Sequence, residues 1–143
     1  MIIMANIIVI DDHPTVLKLL ANLCRQMGHD VMAFDNGIGG LEAVRELRPE
    51  LALVDRRLGD LDGLEIVERV RQECPETRCV MVSALQETRD IVQAVRRGAC
   101  NYVTKPFSSE EIADAVNQAL AEEPEPMKRQ VVIVSNVGIP AAA

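Results

Sequence analysis

Four apolar runs in this sequence each lead into a side chain able to act on an anion or a phosphoryl group. Residues 7–10 run into Asp11-Asp12, residues 51–54 into Asp55 and residues 80–82 into Ser83, while the pair 102–103 precedes Thr104 and Lys105-Pro106. Singly, each has an ordinary structural explanation, since aspartates cap helices and lysines are mostly solvated. Together they describe a site. Two or three carboxylates within roughly 4 Å repel by about 4 kcal/mol per pair at an effective dielectric near 20, so such a group requires a cation. Hard oxygen ligands favour Mg²⁺, which keeps several waters and takes one or two carboxylates together with phosphate oxygens. Zinc is disfavoured, because His13 alone among His and Cys residues is near the acids. A carboxylate can itself attack a phosphoryl donor and form a mixed anhydride. Lys105 would then place its ammonium on one phosphoryl oxygen, and Ser83 would donate a hydroxyl hydrogen bond to another.

These side chains meet only if the runs that carry them lie side by side and point the same way. The four runs lack polar alternation, as parallel strands covered on both faces do. Residues 30–34, with Val31 and Met32 between polar ends, add a candidate edge strand. Between the runs, apolar residues recur at helical spacing. Val16, Leu17, Leu20, Leu23, Cys24 and Met27 form the first set, with Pro14 in its first turn and Gly28 past its end. Leu41, Val44 and Leu47 precede Pro49; Leu64, Val67 and Val70 precede Pro75; Ile91, Val92 and Val95 precede Gly98. Ser108 and Glu111 make a capping box ahead of Ile112, Val116 and Leu120. Strand and helix therefore alternate five times, which predicts an α/β protein with a doubly wound sheet and helices on both faces. Ligands in such sheets sit beyond the carboxyl ends of the strands, where the acids, Ser83 and Lys105 fall.

A chain of 143 residues suits one domain that buries roughly 70% of its unfolded surface. With Phe34, Tyr102 and Phe107 as its aromatic residues, the core must be built from aliphatic side chains. The net charge of −7 argues against direct nucleic-acid binding, which needs a basic patch. Cys24, Cys74, Cys79 and Cys100 lack paired C-x-x-C spacing and read as buried reduced thiols, which fits a reducing cytoplasm. The apolar start has no basic residue before it and runs straight into acids, unlike a secretory signal. No later stretch approaches roughly 20 apolar residues, so a soluble protein without membrane attachment is expected. After Ala121, Glu-Glu-Pro-Glu-Pro predicts a stiff linker over 122–143 rather than a second domain. The run at 131–134 has three readings: an edge strand, a segment that pairs with another chain, or an effect of where the chain was cut.

Val9-Ile10-Asp11-Asp12, Leu53-Val54-Asp55 with Gly63 eight residues on, Val82-Ser83-Ala84, and Gly98-Ala99 leading to Tyr102-Val103-Thr104-Lys105-Pro106 occur in that order. Through this set the chain from Ala5 to Ala121 resembles the receiver domain of bacterial two-component response regulators. The resemblance implies a flavodoxin-like, five-stranded parallel sheet of order 2-1-3-4-5 with five helices, in three α/β/α layers. It implies Asp55 as phosphoacceptor, assisted by Ser83 and Lys105. Mg²⁺ would be held by Asp12, by Asp11 directly or through water, by Asp55 and by the backbone carbonyl of Arg57. Ser83 and Tyr102 would form a switch, and the Lys105-Pro106 peptide would be cis, a state open to X-Pro bonds. The implied donor is a sensor histidine kinase or phosphotransfer protein, and the chain would catalyse only its own phosphorylation and dephosphorylation. The switched surface, formed by the fourth helix, fifth strand and fifth helix, would also serve a homodimer. The output protein or domain is left open, although His13-Pro14 also occurs in receivers that precede DNA-binding domains.

The sequence departs from that pattern at Gly59, where many members have Pro, so the loop after Asp55 should be freer. Arg57 and Leu85 lie two residues beyond Asp55 and Ser83, where bulk is expected to slow hydrolysis of a phosphoaspartate. Three other readings compete. A flavodoxin-like electron carrier needs a hydroxyl- and Gly-rich phosphate loop where this chain has Asp-Asp-His-Pro. A metal-dependent phosphatase or transferase usually has an acid at the place of Arg57 and a cap insertion. A receiver-like interaction module that takes no phosphate would lack some of these side chains, and all are present.

Overall fold

The computed structural model describes residues 4–121; the linker and the run at 131–134 lie outside the described residues. Along the chain the elements are β1 (Asn6–Ile10), α1 (Pro14–Gln26), β2 (Asp30–Phe34), α2 (Gly37–Leu47) and β3 (Leu51–Val54). They continue as α3 (Gly63–Glu73), β4 (Arg78–Ser83), α4 (Thr88–Arg97), β5 (Asn101–Thr104) and α5 (Ser109–Ala121). The strands form one parallel sheet in the order β2-β1-β3-β4-β5.

Alternation along each strand explains why the runs are apolar throughout. Successive side chains point to opposite faces. Ile7 and Val9 of β1, with Leu51 and Leu53 of β3, pack against Leu20 and Cys24 of α1 and Ile112 and Val116 of α5. Ile8, Ile10, Ala52 and Val54 face the other way, toward Leu41 and Val44 of α2 and Ile66 and Val67 of α3. A polar residue on either face would be buried without a partner, a cost of about 1–3 kcal/mol. The outer strand β2 is relieved of this demand: Val31 is buried, but Met32 is 48% exposed, which is why its run is short.

The helix ends follow local chemistry. Pro14 opens α1, and Gly28 beyond its end sits at φ +97°, a left-handed conformation that favours glycine. At α5 the Glu111 amide donates to Ser108 Oγ at 3.0 Å and the Ser108 amide to Glu111 Oε1 at 2.8 Å. The helix α4 is the exception among the five: of its residues only Ala94 is buried, while Val92 and Val95 are 40% and 53% exposed. Cys24, Cys74 and Cys79 are buried, Cys100 is half-buried, and none of the four is in a disulfide. Burial pushes the Cys24 thiol up to about 11 and raises those of Cys74 and Cys79, so these sulfurs stay protonated and unreactive.

The second helix starts four residues before its first periodic apolar residue because two side chains hold its open amides. Asn36 Oδ1 accepts from the Gly39 amide at 2.6 Å, and the Asp60 carboxylate accepts from Gly37 and Ile38 at 2.9 Å each. Asp60 thus ties the loop after β3 to α2. The amide hydrogen bonds, that from Ile38 foremost, hold its carboxyl below the usual aspartate range. A depressed folded-state pKa adds stability above the unfolded value, and that stability is lost as pH falls through the folded one. Asp60→Asn should therefore lower the urea midpoint at neutral pH. The difference from wild type should vanish well below the ordinary aspartate pKa of about 3.9; a difference that persists in acid would show that the carboxylate charge is not the cause.

Candidate functional site

Parallel strands bring all their carboxyl ends to one edge, and the register there is tight. The Asp11 amide donates to the Phe34 carbonyl at 3.1 Å, that of Asp55 to Ile10 at 2.9 Å, and that of Lys105 to Ser83 at 2.9 Å. Asp11, Asp55 and Lys105 are thus each pinned by the strand beside their own. Asp11, Asp12 and Asp55 each present a carboxylate oxygen within 4.8 Å of the others. Asp11 is 0% and Asp55 7% exposed, whereas Asp12 is open to solvent.

Lys105 reaches into this cluster from the end of β5. Its Nζ lies 2.8 Å from Asp11 Oδ2 and 3.1 Å from Asp55 Oδ2, and the Lys105-Pro106 peptide is cis. The other oxygens are held by the backbone: Asp11 Oδ1 accepts the His13 amide at 2.9 Å and Asp55 Oδ1 the Arg56 amide at 2.7 Å. Burial foremost, then the charge of Asp11, raise the Asp55 carboxyl above its usual range, against the pull of Lys105 and the Arg56 amide. Burial alone would lower the Lys105 ammonium, but its hydrogen bonds to Asp11 and Asp55 outweigh burial and leave it raised. A buried acid pair with a shared lysine thus needs more positive charge than one side chain supplies. A second acid-neutralising cation fits: three oxygens on one open edge suit a hard divalent ion that keeps part of its water shell.

Ser83 is buried, and its Oγ accepts from the Leu85 amide at 3.1 Å. Tyr102, half-buried against the α2–α4 side of the core, donates its hydroxyl to the Leu85 carbonyl. Burial raises its phenol, partly countered by a hydrogen bond with Ser83. Arg57 is exposed and pairs with Asp62 in an isolated antiparallel bridge. Of the residues read from sequence, Asp11, Asp12, Asp55 and Lys105 converge directly. Ser83 and Tyr102 both bind the backbone of Leu85, and Arg57 lies in the loop after Asp55.

Three further contacts were not legible as site features. Gly63 comes so close to β3 that a Cβ on it would stand 2.0 Å from the Asp55 carbonyl oxygen. Arg56 forms ion pairs with Asp62 at 2.7 Å and Asp90 at 3.8 Å. Asp62 caps α3, its Oδ1 accepting the Leu64 amide at 2.9 Å. The spacing Asp62-Gly63 ahead of a periodic run is a cap signal that could have revealed the last of these.

Residues 7–117 match the family described as the response regulator receiver domain. The DNA-binding response regulator MtrA of Mycolicibacterium smegmatis is 33% identical over 137 residues, which are 95% of this chain and 60% of MtrA. The chain therefore spans about three-fifths of the length of that relative. The chemotaxis protein CheY of Listeria monocytogenes is 24% identical over 117 residues, 81% of this chain and 98% of CheY. Among solved structures, the BeF3-activated receiver domain of DrrB, a Thermotoga maritima protein, superposes with a TM-score of 0.78 at 28% identity, covering 84% of this chain and all of that one. The sheet order and five helices are those of the CheY-like, flavodoxin-type fold. The chain belongs to the response-regulator receiver family of two-component signalling proteins.

Proposed function

We propose that Asp55 accepts a phosphoryl group in a Mg²⁺-assisted reaction and that residues 5–121 are the unit that does so. The observation that carries this reading is the Asp11–Asp12–Asp55 oxygen cluster with Lys105 bridging two of its members. An Asp55 oxygen attacks phosphorus, a phosphorus–oxygen bond forms, and the bond to the donor's nitrogen or oxygen breaks with its electron pair leaving on the donor. Asp12, Asp11, Asp55 and the Arg57 carbonyl would hold the ion. When bound, Mg²⁺ supplies charge neutralisation to the acids and to the transferring phosphoryl oxygens. Lys105, already salt-bridged to Asp55, is placed to follow the added charge. Ser83 can turn its hydroxyl to a phosphoryl oxygen once it releases the Leu85 amide. That move would alter the seat of Tyr102 and so the surface of α4, β5 and α5.

A sensor histidine kinase or phosphotransfer protein is the fitting donor, and this chain acts on itself rather than on a second substrate. Among the described residues no helix is long and apolar enough to cross a membrane. A cytoplasmic setting fits four cysteines none of which is in a disulfide. The switched surface would carry the signal to an output protein or domain, or to a second copy of the chain. MtrA is a DNA-binding regulator, and an analogous output would have to be supplied outside residues 5–121.

Incubating the full chain with Mg²⁺ and acetyl phosphate, then reading intact mass, tests the proposal. One added phosphoryl group, lost when EDTA is present during the reaction, is the expected result. No gain would leave a receiver-like interaction module as the better description.

A further inference from the structure

Arg56 has a place that neither the acid cluster nor the Ser83–Tyr102 pair explains. Its backbone is fixed to the site, because its amide donates to Asp55 Oδ1 at 2.7 Å. Its side chain leaves the site altogether. Nε donates to Asp62 Oδ1 at 2.7 Å, and Nη1 stands 3.8 Å from Asp90 Oδ1. Both acids are helix-capping residues. Asp62 holds the first turn of α3, and Asp90 Oδ2 accepts the Glu87 amide at 3.1 Å in the capping box of α4. One guanidinium therefore joins the residue after the acceptor to the start of two helices.

The two contacts differ in what they can control. The Asp62 side chain is 50% exposed, so water competes for it, and α3 is in any case anchored by Leu64, Ile66, Val67 and Val70 in the core. The Arg56 and Asp90 side chains are 18% and 15% exposed, where attraction is screened less. The helix they hold has only Ala94 buried. At its far end α4 is also held by arginine, through Arg97 to Glu68 at 3.3 Å and through Arg71 Nη1 to the Arg96 carbonyl at 2.9 Å. Apolar burial fixes α4 weakly, and of these contacts the Arg56–Asp90 pair is the less screened, since the Arg97 and Glu68 side chains are 42% and 45% exposed. The loop between Ser83 and α4 carries Leu85, whose carbonyl takes the Tyr102 hydroxyl and whose amide donates to Ser83 Oγ.

We propose that Arg56 is a positioning residue that couples Asp55 to α4 through Asp90, holding the first turn of α4 and the Leu85 loop closed over the Tyr102 hydroxyl. The inference rests on Asp55 being the acceptor. A group bound at Asp55 changes the seat of the Arg56 amide, and by linkage the arrangement of α4 that the Arg56–Asp90 pair favours must change the affinity of Asp55 for that group by the same factor.

The probe is beryllium fluoride with Mg²⁺, titrated into the full chain while the resonances of Tyr102 and of the α4 amides are followed. Arg56→Ala and Asp90→Asn should each tighten the midpoint by about 5- to 10-fold, a factor at the lower end of typical coupling between sites, because the pair holds the arrangement in which Ser83 Oγ is engaged by the Leu85 amide. Asn keeps the capping acceptor, so α4 still forms. The double variant should gain no more than the better single one, and Arg56→Lys should return part of the way to the wild-type midpoint. Wild-type midpoints in both single variants overturn the proposal, as do gains that add in the double variant. Lowered urea midpoints with an unchanged titration also overturn it, since they mark a structural role alone. If wild type and Asp55→Asn both ignore the probe, the acceptor reading fails and the coupling with it; a wild-type response that the variants share removes the coupling alone.

Discussion

Asp55→Asn is expected to abolish phosphoryl uptake and, in the absence of Mg²⁺, to make the chain more stable. Loss of uptake follows from chemistry, because an amide oxygen is no nucleophile toward phosphorus. The gain in stability follows from the site's charge balance. Two carboxylates at the separation of Asp11 and Asp55 repel by roughly 4 kcal/mol at an effective dielectric near 20, and Lys105, shared between them, offsets most of this. The raised Asp55 carboxyl shows that the balance still disfavours its charge. Asparagine removes the charge, can keep the Arg56 amide as a donor to its oxygen, and leaves Lys105 its 2.8 Å contact with Asp11. A rise on the order of 1 kcal/mol, read from the urea midpoint at unchanged m-value, is expected. A variant less stable than wild type would mean that the Lys105–Asp55 contact outweighs the repulsion.

Gly63→Ala should be the most damaging single methyl group that can be added near the site. The new Cβ would stand 2.0 Å from the Asp55 carbonyl oxygen and 2.9 Å from the Arg56 Cα and the Asp55 carbonyl carbon. These are backbone atoms, so no side chain can swing aside. Either α3 withdraws from β3, opening the contacts of Leu64 and Val67, or the end of β3 shifts and takes the Asp55 carboxylate with it. The Gly63 amide also donates to the Arg56 carbonyl at 2.8 Å, so the second course strains the loop that follows Asp55. A loss of about 3 kcal/mol, the upper end of overpacking costs, is expected in urea unfolding. Phosphoryl uptake measured under folding conditions should fall with it. A variant with a wild-type midpoint would contradict the close approach of α3 to β3.

How far these features could be read from sequence depends on whether they are set along the chain or across it. Asp11, Asp55, Ser83 and Lys105 could be placed together because each ends or follows an apolar run, and parallel strands send all such ends to one edge. The alternating faces of β1 and β3 follow from the same runs. Boundaries were less legible where a polar residue extends a strand's backbone pairing, as Arg78 does in β4 and Asn101 in β5. The start of α2 was hidden because Asp60, more than twenty residues away in sequence, holds its first two amides beside the Asn36 cap. Arg56 was hidden for a like reason. Arg56 and Arg57 look equivalent in sequence, and only the folded loop turns one toward Asp62 and Asp90 and leaves the other exposed.

The sparse burial of α4 sets an order among the parts of the molecule. Opening free energy scales with the apolar surface a segment hides, and for a helix with Ala94 buried and Ile91 partly so, the cost of leaving its bed is a small fraction of the cost of unfolding the sheet. The amides of α4 should then exchange with solvent through local excursions while those of β1 and β3 wait for global unfolding. A domain built this way keeps a rigid platform for its chemistry and one detachable segment whose rest position can be reset by a few tenths to a few kcal/mol. Helix and scaffold are thereby held at different depths of the same energy landscape.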